Sequence, residues 1–205
     1  MINKTLPTMK KMRPAFFKTV VVLIAFTFTN FAFSADFYWI NGAGSWSNPS
    51  HWSNTSGGSS INQIPGSTDN VIFDNNSFNS GYTNVLFDTD AEIHNLTITS
   101  AQAVNIYGGE NNLILHGNFE ATNNFNLNIG ALHLNNLSNI TNTLNFNEVI
   151  IAADVHFNDG RWILESKFQT TWQNSIYFND GELNTNSFSV SADQIVANNN
   201  SFDLN

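Results

Sequence analysis

Cysteine is absent from the 205 residues, which removes disulfide scaffolds, thiol nucleophiles and cysteine-ligated zinc. Charge is scarce too, at 11% Asp, Glu, Lys and Arg against roughly 25% in an average soluble domain. No window of a dozen positions holds a 3.6-residue hydrophobic period, so long helices are not expected. P-loop, dinucleotide and nucleophile motifs are missing as well. What fills the chain instead is 41% hydrophobic residues and 35 asparagines, with a formal net charge of −9. Apolar positions this frequent and regular argue against a disordered acidic tail. The length suits one domain or one elongated array with a sizeable core.

The bases are few and badly distributed. Lys4, Lys10, Lys11, Arg13 and Lys18 all precede an apolar stretch from Thr19 to Phe33, which ends in Ala32-Phe33-Ser34. A positive n-region, a short h-region and an A-x-S ending read as a secretory signal peptide over 1–34. The run is shorter than the roughly 20 residues that span a bilayer, and Asn30 interrupts it, so a retained membrane anchor is the weaker reading. After cleavage only Arg161 and Lys167 remain against 16 acids, a formal charge of −14. Such a surface repels phosphate backbones and anionic headgroups, which excludes nucleic acid as an expected partner. No transmembrane segment is expected in the mature chain.

Two textures follow. Residues 35–66 are dense in Gly, Ser, Asn and Trp, as in Trp39-Ile-Asn-Gly-Ala-Gly-Ser-Trp46 and His51-Trp52. Turn formers between aromatics predict short strands joined by tight loops, here assigned as an N-terminal cap. From 67 to 205 the pattern becomes short alternations such as Val71-Ile-Phe73, Leu96-Thr-Ile98, Leu113-Ile-Leu115 and Leu132-His-Leu134. Their period of two is that of strands, and the chain is expected to be all-β.

Internal echoes point to the kind of β structure. Phe157-Asn-Asp-Gly160 returns as Phe178-Asn-Asp-Gly181, and Asn124-Phe-Asn126 returns as Asn145-Phe-Asn147; both shifts are 21 residues. Asn95-Leu-Thr-Ile98 and Asn112-Leu-Ile-Leu115 lie 17 apart, which predicts coils of unequal length. Repeats of about 20 residues holding several short strands describe a parallel β-helix, or β-solenoid, whose coils bury a core by stacking. Asparagine suits its corners, because it tolerates left-handed φ and can ladder with copies of itself. A β-sandwich is the competing architecture, but it needs no such echo.

The stretch Tyr38-Trp-Ile-Asn-Gly-Ala-Gly-Ser-Trp46, then His51-Trp52, then Ile64-Pro-Gly-Ser-Thr-Asp-Asn-Val-Ile-Phe-Asp74 resembles the N-terminal opening of large secreted bacterial β-helix proteins. Many of these are adhesin-like cargo of type IX secretion. Leu96-Thr-Ile98 and the run Ile176 to Val190 resemble later parts of their coil pattern. The resemblance implies a structural or adhesive role at the surface of a Gram-negative bacterium, reached through the periplasm. Members are usually longer and end in a sorting domain, whereas this chain ends on the strand-like Ser201-Phe-Asp-Leu-Asn205. It is therefore expected either to be the front part of a longer product or to pair with something at that end.

Candidate chemistry is thin. A β-helix lyase needs an Arg or Lys base, and only Arg161 and Lys167 are on offer. Hydrolases need paired carboxylates. Asp159 and Asp180 share the 21-residue phase, but each sits in Asn-Asp-Gly, a strong turn signal. Asp88, Asp90 and Glu92 fall on one face if that segment is extended, a weak calcium site, with Asp69 and Asp74 as neighbours; otherwise no cofactor is expected. Trp39, Trp46 and Trp52, with Tyr38, are expected first to plug the end of the first coil, and a sugar-stacking platform is their weaker reading. His94, His116, His133 and His156 are spaced like coil lengths and are candidates for a column, although lone histidines beside strands are ordinarily polar-face residues. The expected function is that of a non-catalytic structural or adhesive module, with cell-surface glycans or other surface proteins as partners. The alternative is a polysaccharide-binding or polysaccharide-degrading β-helix. Ice binding would need a threonine ladder, which is absent.

Overall fold

A computed structural model describes residues 34–79, 81–122, 124–136 and 140–198, and the backbone of 203–204. The expected signal segment lies outside the described residues, apart from Ser34. Alternating burial runs through most strands: Asn112–Leu115 reads half-buried, buried, half-buried, buried, and Ile150–Asp159 alternates from exposed Ile150 as far as half-buried Asn158. One face of each strand is driven inward by its apolar side chains, and the other face stays in water. Each strand is too short to bury a core alone, so successive turns stack in parallel into a β-solenoid of about six turns.

Each full coil has three faces. The first is built from Asp36–Trp39, Asn70–Phe73, Leu96–Ile98, Phe119–Ala121, Thr141–Asn145, Arg161–Leu164, Glu182–Asn184 and Asp203–Leu204. The second holds Gly44–Ser45, Asn84–Leu86, Val104–Tyr107, 125–129, 150–153, Phe168–Thr170 and Val190–Ser191. The third holds Ala91–Ile93, Asn112–Leu115, 131–135, 154–159, Ser175–Phe178 and Gln194–Ala197. In the two middle coils the second and third faces run on as single long strands, Phe125–Asn135 and Ile150–Asp159.

The register sets the coil length. On the first face Val71 pairs with Leu96, Leu96 with Phe119, Phe119 with Leu144, and Leu144 with Leu164, steps of 25, 23, 25 and 20. Trp162 then pairs with Leu183 and Leu183 with Leu204, both steps of 21. The Phe157–Phe178 echo is a true coil step, since the two residues are register partners with ring centroids 5.1 Å apart. The other two echoes are not. Asn126 pairs with Asn105 and Asn145 with Glu120, on different faces. Likewise Leu96–Ile98 lies on the first face and Asn112–Leu115 on the third. Short polar-apolar alternations look alike on every face, so such matches need not mark equivalent positions.

Inside, apolar columns run along the axis, and aromatic rings meet within them: Phe119 lies tilted against Phe146 at 4.8 Å, and Phe146 stacks on Phe168 at 4.9 Å. At the N-terminal end Trp52–Ser53 turns antiparallel to Asp36–Trp39, so the edge of the first face is covered by a strand only two residues long. Asparagine does occupy corners. Asn41, Asn62, Asn147 and Asn186 have φ between 49° and 65°, the left-handed region it tolerates best among residues with a Cβ.

Candidate functional site

The sequence offered three tryptophans first as a plug over the first coil and only weakly as a ligand platform, and the structure buries all three. Trp39, Trp46 and Trp52 are at most 1% exposed. They meet edge to face, Trp39 and Trp46 each 4.9 Å from Trp52, and rest on Phe73 and Phe87. Their indole N–H groups are used inside the fold: Trp39 Nε1 donates to the Gly42 carbonyl at 2.7 Å and Trp52 Nε1 to the Trp46 carbonyl at 2.9 Å. His51 stacks on Trp39 at 4.8 Å. The cluster is a plug, because an open first coil would otherwise leave its apolar core facing water. Tyr38 is half-buried on the outer side of its strand.

The weak calcium site dissolves for a different reason. A bend at Thr89 separates Asn84–Leu86 from Ala91–Ile93, so Asp88, Asp90 and Glu92 do not share an extended face. Each serves a separate contact. Asp88 accepts from the Ser47 amide at 3.0 Å and the Ser47 hydroxyl at 2.6 Å. Asp90 accepts from the Asn112 amide at 2.7 Å, and Glu92 meets His116 Nε2 at 2.6 Å. Burial alone pushes the Asp88 carboxyl up, but the hydrogen bonds from Ser47 and from its own amide outweigh it and hold its pKa below the usual value. Asp69 and Asp74 are likewise occupied, capping the Gly66 amide and the Asn76 amide. Among the described residues no group of three or more His, Asp or Glu is placed to hold a metal ion.

The remaining catalytic candidates resolve into local structure. Asp159 and Asp180 each accept from the amide of the following glycine, at 2.6 and 2.8 Å, which is the turn role. Arg161 lies 3.5 Å from Glu182, its register partner one coil on, an exposed pair that contributes little. Lys167 is half-buried beside the corner where Ser166 hydrogen-bonds the Phe146 amide.

Two outer surfaces carry organised polar chemistry. On the first face a groove of about 330 Å³ runs across the coils from Asp36 to Thr143. A hydrogen-bonded ladder forms one wall: Asn70 donates to Asp36 at 2.7 Å, Asn95 to Asn70 at 2.7 Å, the Asn118 amide to the Asn95 side chain at 2.6 Å, and the Thr143 amide to the Asn118 side chain at 2.8 Å. The ladder arises because coil stacking puts like positions one strand apart, close enough for one amide to bond the next. Glu120 lines the same groove. Its pKa is raised, first by burial and then by the negative charge of Glu165, against the Asn145 amide that donates to it.

On the third face, the outward positions of successive coils give Ile114, His133, His156 and Tyr177 in register. The rings stack, His133 on His156 at 4.7 Å and His156 on Tyr177 at 4.4 Å. Only part of the four-histidine column therefore forms; His116 sits in a neighbouring row against Glu92 and the Asn135 carbonyl. Beside the rings, Asn198 donates to Asn179 at 2.7 Å, Asn179 to Asn158 at 2.9 Å, and Asn158 meets His133 Nδ1 at 3.3 Å. Both imidazoles titrate below the ordinary 6.5, chiefly because burial disfavours their charged form. For His156 the charge of His133 adds to this and Asp154 opposes it; for His133, Asp90 opposes it.

That arrangement makes stability depend on pH with a definite sign. A base whose folded pKa is depressed takes up its proton more readily when unfolded. Its contribution is complete above the unfolded value of 6.5 and is lost as the pH falls below it. The thermal midpoint is expected to hold steady above about pH 7 and to drop toward about pH 5. In a His133→Gln, His156→Gln double variant that drop is expected to shrink; an unchanged profile would assign the effect elsewhere. Asp88 acts in the same direction, but in the carboxylate range, which keeps the two windows apart.

Trp172 is the residue that sequence reading passed over. It is 76% exposed, unlike Trp162, which is 1% exposed. The available signal was its setting, Thr171-Trp172-Gln173-Asn174, a tryptophan in polar company outside any apolar alternation. Among the described residues no helix is long and apolar enough to cross a membrane. Comparison with protein-family models, curated proteins and solved structures finds no match to this chain.

Proposed function

We propose that the protein is an exported, non-catalytic module of a bacterial surface, adhesive through many weak polar contacts along its solenoid. The observation that carries this reading is the Asp36–Asn70–Asn95–Asn118–Thr143 ladder. It repeats one kind of polar position at the strand spacing of about 4.8 Å. A linear polymer meeting such a row makes the same modest contact several times over, and affinity grows by multivalency without any deep pocket. Export through the periplasm follows from the N-terminal segment, and surface display from the resemblance of the tryptophan-rich opening to secreted β-helix adhesins. Glycans are the favoured partners. The Asp36 carboxylate and the asparagine amides of the ladder are matched to hydroxyl groups, and the acidic surface disfavours anionic polymers.

A polysaccharide-degrading reading has one observation on its side, the Glu120 carboxyl with its raised pKa near Glu165. Asn145 stands between them in the register, so their strands lie two spacings, about 10 Å, apart. Two spacings are too wide for the roughly 5–5.5 Å of retaining pairs and fall at the upper edge of the roughly 6.5–9.5 Å of inverting ones, and the Asn145 side chain, which donates to Glu120 at 3.2 Å, stands where the attacking water would have to sit. The binding reading is therefore preferred.

Beads coated with the exported protein test it directly. Dense coating is expected to retain them on immobilised neutral polysaccharide or on cell-envelope preparations. Sparse coating is expected to lose retention more steeply than in proportion to the protein present. Release of reducing sugar ends during the assay, reduced in Glu120→Gln, would move the assignment to the enzyme.

A further inference from the structure

The corner between the second and third faces carries a small site that the ladders do not include. Phe168–Thr170 ends the second face and Ser175–Phe178 begins the third. Between them Thr171–Asn174 is a tight turn, closed by the Asn174 amide on the Thr171 carbonyl at 3.0 Å. The turn is clamped three more times. The Thr171 hydroxyl bonds the Asn174 side chain, the Thr170 hydroxyl donates to the Asn174 carbonyl at 2.9 Å, and the Thr171 amide reaches Ile151 on the preceding coil at 3.0 Å. Trp172 stands at the tip of this rigid turn, 76% exposed. Beside it lies a groove of about 270 Å³ formed with Gln169, Thr170, Ser191, Ala192 and Asp193.

A single exposed aromatic on a surface needs no explanation. Here exposure coincides with a concavity, a small floor at Ala192, and three polar side chains, Gln169, Ser191 and Asp193, that make no side-chain hydrogen bond to the described residues. Gln169 and Ser191 are register partners on adjacent coils, so their side chains emerge side by side on the outer face. The chemistry is that of a flat apolar face edged by hydroxyl-binding groups. An indole face is electron-rich and attracts the electropositive C–H face of a pyranose. Gln169 offers a donor and an acceptor, Ser191 both, and Asp193 acceptors only, which suits ring hydroxyls. Asp193, within a chain of formal charge −14 over 35–205, opposes uronates, sialic acids and sulfated sugars. A protein hot spot would instead favour an apolar surround that shuts out water.

We propose that Trp172, Gln169, Ser191 and Asp193 form a binding site for one neutral hexose unit of a glycan, with the Trp172 indole stacked under the sugar ring. The inference rests on the adhesive reading and gives it a specific contact. Because the turn is already fixed by hydrogen bonds, little ordering is lost on binding.

Trp39, Trp46, Trp52 and Trp162 are at most 1% exposed, so acrylamide quenching of tryptophan emission reports Trp172 almost alone. The exported protein is titrated with neutral gluco- and manno-oligosaccharides, with an oligogalacturonate as the anionic control. A neutral oligosaccharide is expected to shield the quenchable emission of the wild type and, in titration calorimetry, to bind Trp172→Ala about tenfold more weakly, with Trp172→Phe in between. The oligogalacturonate is expected to do neither. An unchanged thermal midpoint in Trp172→Ala shows that the loss is local. If coated beads adhere to polysaccharide but Trp172→Ala beads adhere equally, the hexose site is overturned and the adhesive reading stands. If only the anionic sugar shields Trp172, or a protein from the cell envelope does so and sugars do not, the ligand assignment is overturned. If the beads adhere to nothing and no sugar shields Trp172, both readings fall.

Discussion

Trp52→Ala is expected to lower the unfolding free energy by about 3–5 kcal/mol, the range for deleting a buried large aromatic. Trp52 is fully buried and meets Phe37, Trp39, Trp46 and Phe73, so its loss opens a cavity against four other aromatic rings. It also removes the N–H that satisfies the Trp46 carbonyl. Position in the solenoid adds a second effect. Coils are stabilised by their neighbours, and a damaged end frays before the middle does. Amide exchange is therefore expected to lose protection first over Asp36–Trp39, Gly44–Ser45 and Asn70–Phe73, while Ile150–Asp159 holds. Trp172→Ala is the natural control: its side chain is mostly in water, and its effect on stability is expected to stay within about 0.5 kcal/mol. Equal losses in the two variants would refute the assignment of Trp52 to a plug. Denaturant titration read by circular dichroism distinguishes them.

Gly181→Ala is the second large effect, and it tests the stacking of turns instead of the core. Gly160 and Gly181 have φ of +89° and +97°, values that residues with a Cβ rarely adopt. A Cβ on Gly181 would stand 2.4 Å from the Gly160 carbonyl oxygen and 3.0 Å from its amide nitrogen. Both neighbours are backbone, so they cannot swing aside; the coils must separate. Strain and overpacking together are expected to cost about 2–4 kcal/mol. Asp180→Asn, which keeps an acceptor for the Gly181 amide, is expected to change stability far less. A Gly181→Ala variant that unfolds like wild type would mean that the two turns do not stack at this distance.

Those two glycines also show how far the sequence reaches. The Phe-Asn-Asp-Gly echo at 157–160 and 178–181 was visible in the letters, its 21-residue shift is a real register step, and the chain is the parallel β-solenoid that the short alternations implied. Strand periodicity is a local property, written by alternate side chains into each segment, so it survives without any knowledge of the rest of the fold. Coil equivalence is not local. The Asn-Phe-Asn echo and the 17-residue echo fell on different faces, because a short strand motif carries no mark of which face it occupies.

Site chemistry was less legible still. Whether a tryptophan plugs a core or greets a ligand depends on which way its strand faces and what covers it. Trp39, Trp46 and Trp52 went inside because the first coil has an apolar end to close, while Trp172 stayed outside because its turn is tied down by Thr170, Thr171 and Asn174. The run Asp88-Thr-Asp-Ala-Glu92 read as a shared face only on the assumption of an extended backbone, and a single bend at Thr89 sent each carboxylate to a different coil partner. The asparagine ladders were anticipated in kind, since identical amides stack wherever a repeat aligns them, but their members were chosen by register alone. Composition and periodicity by themselves determined an all-β chain of stacked short strands with an acidic exterior, since these follow from side-chain burial along one strand. Only the tertiary structure decided which polar rows align, which aromatic is exposed and where grooves open, because those depend on contacts between residues some 20 to 25 positions apart.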